Sequence, residues 1–169
     1  PEGAVRGSEA THLSYRLYDA TGRLVFERTA PLADFIPPTE RGGLHALANP
    51  QLWWPNGLGT PYRYKARFEL LEGERGRVLD VAQCAGGRRT VELVREKDKD
   101  GQSFFFRVNG QPLFAKGANY VPGTLLLPTR TEADRKQLFD DVAGAHCTML
   151  RVWGGGPYEE AAVDDEAEA

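Results

Sequence analysis

The chain has 169 residues, of which 41% are hydrophobic and 27% charged, a composition that can bury a core. A formal net charge of −3 offers no basic footprint, so nucleic acid is not an expected partner. No apolar run approaches the roughly 20 residues a membrane-spanning helix needs, so no membrane partner is expected either.

The first residues, "PEGAVRGSEA", hold no apolar stretch of the kind a secretory signal carries, which makes the cytoplasm the expected compartment. The chain begins with Pro rather than Met, and its true N-terminus is expected to lie further upstream. "THLSYRLYD" (residues 11–19) alternates Leu13, Tyr15 and Leu17 against His12, Ser14 and Arg16, the period of a half-buried strand. "DATG" (residues 19–22) is a turn signal, and "RLVFERT" follows as its hairpin partner. "GGLHALA" (residues 42–48) is a weaker strand candidate. "YRYKARFELLE" (residues 62–72) puts Tyr62, Tyr64, Ala66, Phe68 and Leu70 on one face and Arg63, Lys65, Arg67 and Glu69 on the other. "EGERG" is a turn, "RVLDVAQCA" pairs back, and "RRTVELVRE" continues. Residues 1–96 are therefore expected to form an antiparallel β-sandwich with one wet side per sheet. Roughly five strands are visible where an immunoglobulin-like sandwich has seven or more, so either two strands are hidden in residues 30–43 or the domain lacks its first strands, and the loop-like start favours the second.

"REKDKDG" (residues 95–101) reads as a charged linker or a hairpin tip, and the pattern changes after it. "SFFFRVNGQPLFAKGAN" is a hairpin turning at Asn109 and Gly110, then a strand ending at Lys116 or Gly117. "TRTEADRKQLFDDVAGAH" (residues 129–146) is a helix with Thr131 as N-cap, Asp134 in the place of a capping-box Glu, an apolar stripe of Leu138, Phe139 and Val142, and Gly144 as its stop. "CTMLRVW" (residues 147–153) is a continuous apolar run, the pattern of a strand covered on both faces. Pro157 opens a second helix. Strand, helix, strand, helix is the grammar of an α/β unit with parallel strands. Cys84 and Cys147 read as small buried thiols in strands, and the scattered histidines have no partners at ligand spacing, so neither a metal nor another cofactor is expected.

Four motifs occur in order: "NPQLWWPNGLGTPYRY" (residues 49–64), "GRRTVEL" (87–93), "FFFRVNGQPLFAKGANYVP" (104–122) and "MLRVWGGGPYEE" (149–160). Together they resemble the β-mannosidase branch of the β-galactosidase-type glycoside hydrolase family 2. The resemblance implies an N-terminal sugar-binding-like sandwich, an immunoglobulin-like sandwich and a (β/α)8 TIM barrel. On that map the chain is a fragment: residues 1–96 belong to the immunoglobulin-like domain and residues 97–169 to the start of the barrel. It would pack on sandwich and barrel parts outside this sequence. The family's acid/base and nucleophile carboxylates come from later barrel strands, so no catalytic residue is expected here and the fragment alone is expected to be inactive.

The resemblance also implies a substrate-binding set. Barrel active sites lie at the C-terminal ends of the strands. Arg151, Trp153 and Gly154 stand where the second barrel strand would end, and Asn119 and Tyr120 stand just past the end of the first. An Arg beside the nucleophile keeps it ionised, a Trp face stacks on a pyranose, and glycines admit a close ligand. Each has a plainer alternative: Trp153 as core packing, Arg151 as a structural ion pair, Asn119 as a turn residue, Gly154 to Gly156 as a connecting loop. Glu159 and Glu160 are adjacent on the expected helix, point about 100° apart, and suit its first turn better than a catalytic pair. "LWWPNGLG" (residues 52–59) is either a sugar platform or a packing element, and packing is favoured. Two departures from the family pattern stand out: Pro157 in place of a branched apolar residue, and Gly86 to Arg88 in place of an apolar-Gly-aromatic run before Arg89.

The expected parent activity is retaining exo-hydrolysis of terminal β-mannosyl residues from an oligosaccharide or glycoside. Two alternatives stand beside it. A related exo-β-glycosidase acting on glucosaminides, galactosides or glucuronides keeps the fold, though "GANYVP" lacks the histidine expected of the galactosidase branch. A non-catalytic β-sandwich module binding carbohydrate or protein predicts a self-sufficient domain, which the run at residues 147–153 argues against.

Overall fold

The computed structural model describes residues 11–35, 47, 49–121, 131–155, 167 and 168. These residues are mostly β-strands in sheets, with one α-helix longer than a turn. The chain divides into two compact units, Pro1–Pro50 with Arg63–Gly86, and Gln51–Tyr62 with Gly87–Ala169.

The first unit is a four-stranded sheet. Strands β1 (Thr11–Tyr18), β2 (Leu24–Pro31), β3 (Arg63–Glu72) and β4 (Val78–Gly87) lie in the order β2-β1-β3-β4. β1 is antiparallel to both neighbours and pairs Leu13 with Leu70, Tyr15 with Phe68, and Leu17 with Ala66. The alternation seen in the sequence thus becomes one apolar face. Tyr15 stacks on Phe68 at 4.9 Å and tilts against Phe26 at 5.6 Å. Aromatic pairs of this kind add about 0.5–1.5 kcal/mol beyond the area they bury. A short 3-10 helix, Leu32–Phe35, follows β2 and buries Phe35 beneath the Arg28 guanidinium at 4.6 Å.

The opposite face departs from expectation. It holds Ser14, only 2% exposed, and Glu69, 8% exposed. Glu69 is covered because Arg16 and Arg67 close on its carboxylate at 2.9 and 2.7 Å. Those bonds hold its pKa below the usual carboxylate range, Arg67 contributing most. The "DATG" turn forms with Gly22 at φ 82°. Asp19 Oδ1 accepts from Thr21 Oγ1 (2.6 Å), Thr21 N (2.9 Å) and Arg23 N (3.0 Å), while Oδ2 accepts from Arg23 Nε (3.1 Å). The Thr21 hydroxyl leads in lowering its pKa to about 2. β4 is an edge strand, and its Cys84 is exposed rather than buried. The expected strand at residues 42–48 lies outside the described residues except for Leu47, which is in no strand.

The second unit contains strands β5 (Val91–Val94), β6 (Phe105–Val108) and β7 (Gln111–Leu113), which form an antiparallel sheet in that order. The charged stretch after β5 is the tip of the β5–β6 hairpin, closed by pairing of Lys97 with Gln102 and by Asp98 Oδ1 accepting from Asp100 N and Gly101 N. β6 turns into β7 through Asn109 (φ 49°) and Gly110 (φ 80°), the two successive positive values of a tight hairpin turn.

β8 (Gly117–Tyr120) and β9 (Met149–Val152) then run parallel, joined through helix α1 (Glu132–Gly144). The capping box is complete despite the shorter side chain at its third position: Asp134 N donates to Thr131 Oγ1 and Thr131 N donates to Asp134 Oδ2. The C-terminal end differs from expectation. Gly144 is still helical; the left-handed residue is His146, at φ 56°. Cys147 N bonds Val142 O and His146 N bonds Ala143 O, the double closure of a Schellman turn. Cys147 therefore sits in a turn, half-buried, and not in a strand. The run at residues 147–153 is not covered on both faces: Met149 is 37% and Val152 38% exposed, because β8 is the sole strand beside β9 among the described residues. The helix expected from Pro157 lies outside the described residues, apart from residues 167 and 168.

Candidate functional site

Parallel pairing sets β8 and β9 in a register that opposes Gly117 to Met149, Ala118 to Leu150, Asn119 to Arg151 and Tyr120 to Val152. Paired residues share a face and successive residues alternate. Asn119 and Arg151 therefore stand side by side, and Arg151 Nη1 donates to Asn119 Oδ1 at 3.1 Å. Arg151 has no carboxylate partner among the described residues. A neutral amide accepts one of its hydrogen bonds, and the side chain is exposed. That is a charged hydrogen-bonding group positioned one residue before the C-terminal end of a strand.

Tyr120 belongs to the other face and is buried at 9% exposure. Its carbonyl accepts from Trp153 N at 3.2 Å, which continues the pairing past the end of β9. Trp153 is 38% exposed. Gly155 lies against its ring, since a Cβ there would come within 2.6 Å of Cζ3, whereas a Cβ at Gly154 would meet nothing within 4 Å. The geometry thus joins Asn119 to Arg151 by side chains, Tyr120 to Trp153 by backbone, and leaves Gly154 open.

A groove of about 530 Å³ lies elsewhere in the same unit, between the loop at residues 53–61, α1 and β9. Trp54, Phe139, Val142 and Leu150 line it, and none of the five expected substrate residues does. Leu150 precedes Arg151 and so points to the opposite side of the strand. The groove carries no cluster of titratable groups suited to acid/base work. It belongs to packing, and the loop beside it explains how.

That loop makes anchoring contacts which its sequence did not disclose. Asn56 Nδ2 donates to both Ala143 O and Cys147 O at 3.1 Å, so one amide closes over the Schellman turn that delivers β9. Trp53 N donates to Arg88 O at 2.8 Å, and Trp53 O accepts from Asn109 Nδ2 at 2.9 Å. The Asn109 carboxamide oxygen accepts from Thr90 N at 2.9 Å, so the hairpin turn residue also ties β5 to the Trp53 loop. Arg89 lies over the Trp53 ring at 4.5 Å. Gly87 is required by this packing: a Cβ there would stand 2.5 Å from Trp53 Cβ and Cγ. Only the cluster of Trp, Pro, Asn and Gly at residues 53–57 hinted at such a hub.

Residues 4–89 match the glycosyl hydrolases family 2. The chain is 39% identical over 114 residues to beta-mannosidase B of Aspergillus flavus, which covers 68% of this chain and 13% of that protein. Among solved structures, the beta-D-mannosidase of Dictyoglomus thermophilum aligns with a TM-score of 0.79 and 35% identity, covering 94% of this chain and 19% of the other. The beta-glucuronidase of Parabacteroides merdae aligns with a TM-score of 0.66 at 17% identity, covering 96% and 19%, a likeness of fold. The chain therefore spans a small part of the length of the relatives it matches.

Proposed function

The chain belongs to the glycosyl hydrolases family 2, and on that premise we propose that it is part of a retaining exo-β-mannosidase that hydrolyses terminal β-D-mannosyl residues. Residues 1–96 would contribute to an immunoglobulin-like sandwich and residues 97–169 the opening of a (β/α)8 barrel, with the β5–β6 hairpin spanning the join. The β8–α1–β9 crossover supports the barrel assignment, because parallel strands linked by a helix are its repeating unit. The beta-mannosidases among the relatives support the sugar.

The observation that carries the site is the Asn119–Arg151 pair at the C-terminal ends of adjacent parallel strands. In retaining glycosidases one carboxylate attacks the anomeric carbon while a second, about 5–5.5 Å away, donates and then removes a proton. Neither carboxylate is assigned to this chain. Arg151 stabilises the ionised nucleophile by opposite charge, and Asn119 fixes the guanidinium and bonds the terminal sugar. Trp153, anchored through the Tyr120 carbonyl, offers its ring to the pyranose, and Gly154 leaves room for the ligand.

The test is an assay of the longest natural reading frame containing this chain on chromogenic β-mannoside, β-galactoside and β-glucuronide, beside the chain alone. Mannoside turnover is expected from the longer protein and none from the chain. Asn119→Ala and Arg151→Ala should each lower kcat/KM by about 10²-fold, the usual effect of losing one preorganised donor. Preference for galactoside or glucuronide would replace the sugar assignment, and turnover by the chain alone would place the carboxylates within it.

A further inference from the structure

Residue 168 is held from three directions. Arg89 Nη2 donates to Glu168 Oε1 at 2.8 Å, Gly87 N to Oε2 at 3.4 Å, and Trp53 Nε1 to the Glu168 carbonyl at 2.9 Å. The donors are organised by contacts of their own. The Trp53 ring orients the Arg89 guanidinium stacked on it, and the backbone of Trp53 is fixed to Arg88 O and to the Asn109 side chain. The missing side chain at Gly87 lets the indole lie against the backbone. The ion pair also differs from an incidental surface contact. Arg89 and Glu168 side chains are 31% and 26% exposed, against 90% and 80% for Lys99 and Asp100. Fully exposed pairs contribute little, whereas partly covered, charge-assisted bonds to a fixed donor set hold their partner.

We propose that Gly87, Arg89 and Trp53 form a receiving site for a carboxylate-bearing peptide segment, filled in this chain by Glu168. Arg89 supplies the charge and Gly87 a second donor to the same carboxylate. Trp53 Nε1 reads the backbone carbonyl beside it, so the site favours a peptide acid over an inorganic anion. The site stands apart from Asn119 and Arg151 and does not depend on the sugar assignment. Its consequence is mechanical: it fastens residue 168 to the loop whose Asn56 closes the end of α1.

The experiment is hydrogen exchange by NMR on the full chain, read at the Gly87 amide and the Arg89 guanidinium. Glu168→Ala should speed exchange at both by about tenfold, the loss of a charge-assisted bond. Sodium acetate should restore part of the protection, and sodium chloride at equal ionic strength should not. In the double variant Glu168→Ala with Arg89→Lys, read at the Gly87 amide, the charge remains but the planar fork is lost, and acetate should restore no protection. Glu168→Gln, which preserves shape, provides the comparison if the alanine variant folds poorly, and should also accelerate exchange. Unchanged protection in Glu168→Gln, or equal restoration by chloride and acetate, would overturn the proposal.

Discussion

Two adjacent glycines should respond in opposite ways to the same methyl group. At Gly87 a built Cβ stands 2.5 Å from both Trp53 Cβ and Cγ, where ordinary contact is 3.4–4 Å. At Gly86 nothing lies within 4 Å. Gly87→Ala must push Trp53 outward, and overpacking of this kind costs about 1–3 kcal/mol. The displaced indole also strains the Arg89 stack and the Nε1 bond to Glu168, each worth on the order of 1 kcal/mol. A total of roughly 3–5 kcal/mol follows for Gly87→Ala if both contacts are lost. Gly86→Ala should instead gain about 0.4–1 kcal/mol by restricting the unfolded chain. Urea denaturation is the assay, followed by tryptophan fluorescence for Gly87→Ala, since Gly87, Trp53, Trp54 and Trp153 all belong to the second unit, and by circular dichroism for Gly86→Ala, which belongs to the first. The midpoint for Gly87→Ala should fall without a change in slope. Equal shifts for the two variants, or a neutral Gly87→Ala, would refute the account of Trp53 packing.

Three further predictions follow from local geometry. His146→Gly should stabilise the second unit by about 0.5–1 kcal/mol, because a left-handed residue with a Cβ is strained and glycine is not; calorimetry would show the midpoint rise. Asn56→Ala should cost about 0.5–1.5 kcal/mol in urea denaturation. Asn56→Asp should cost more, since it turns a carboxylate toward two carbonyl oxygens at the negative end of α1. Asp19, with its pKa lowered from 3.8 to about 2, stabilises the fold above pH 4, and that contribution should vanish as pH falls from 4 to 2. Urea titrations across that window should show a shallower loss for Asp19→Asn.

The features legible in the sequence are those written within a few residues. Period-two alternation gave the shared face of Tyr15, Leu17, Phe68 and Leu70, and Asn109 with Gly110 announced its turn. Thr131 and Asp134 marked the start of α1, and the strand–helix–strand order announced the parallel crossover, but the first strand runs Gly117–Tyr120 rather than ending at Lys116 or Gly117, so Asn119 lies within it opposite Arg151. The features that escaped depend on partners far along the chain. Glu69 looks solvent-facing by alternation, yet Arg16, from a different strand, covers it. Asn56 meets carbonyls 87 and 91 residues away, which no local rule predicts. Glycine is the commoner left-handed residue, yet the helix continues through Gly144 and His146 takes that conformation. Tyr120 and Asn119 are adjacent in sequence, but the strand pleat sends them to opposite faces.

Arg16 touches two acids that join the sheet by unequal routes. Glu27 is 11 residues away and Glu69 is 53. The entropy of closing a flexible loop grows as (3/2)RT ln n, so the longer closure costs about 1.4 kcal/mol more. The β1–β2 hairpin is therefore expected to close before β3 docks on β1 and forms the Tyr15–Phe68 stack. Arg16 is then the residue at which the order of assembly can be timed: weakening its bond to Glu27 should slow folding, while weakening its bond to Glu69 should chiefly hasten unfolding.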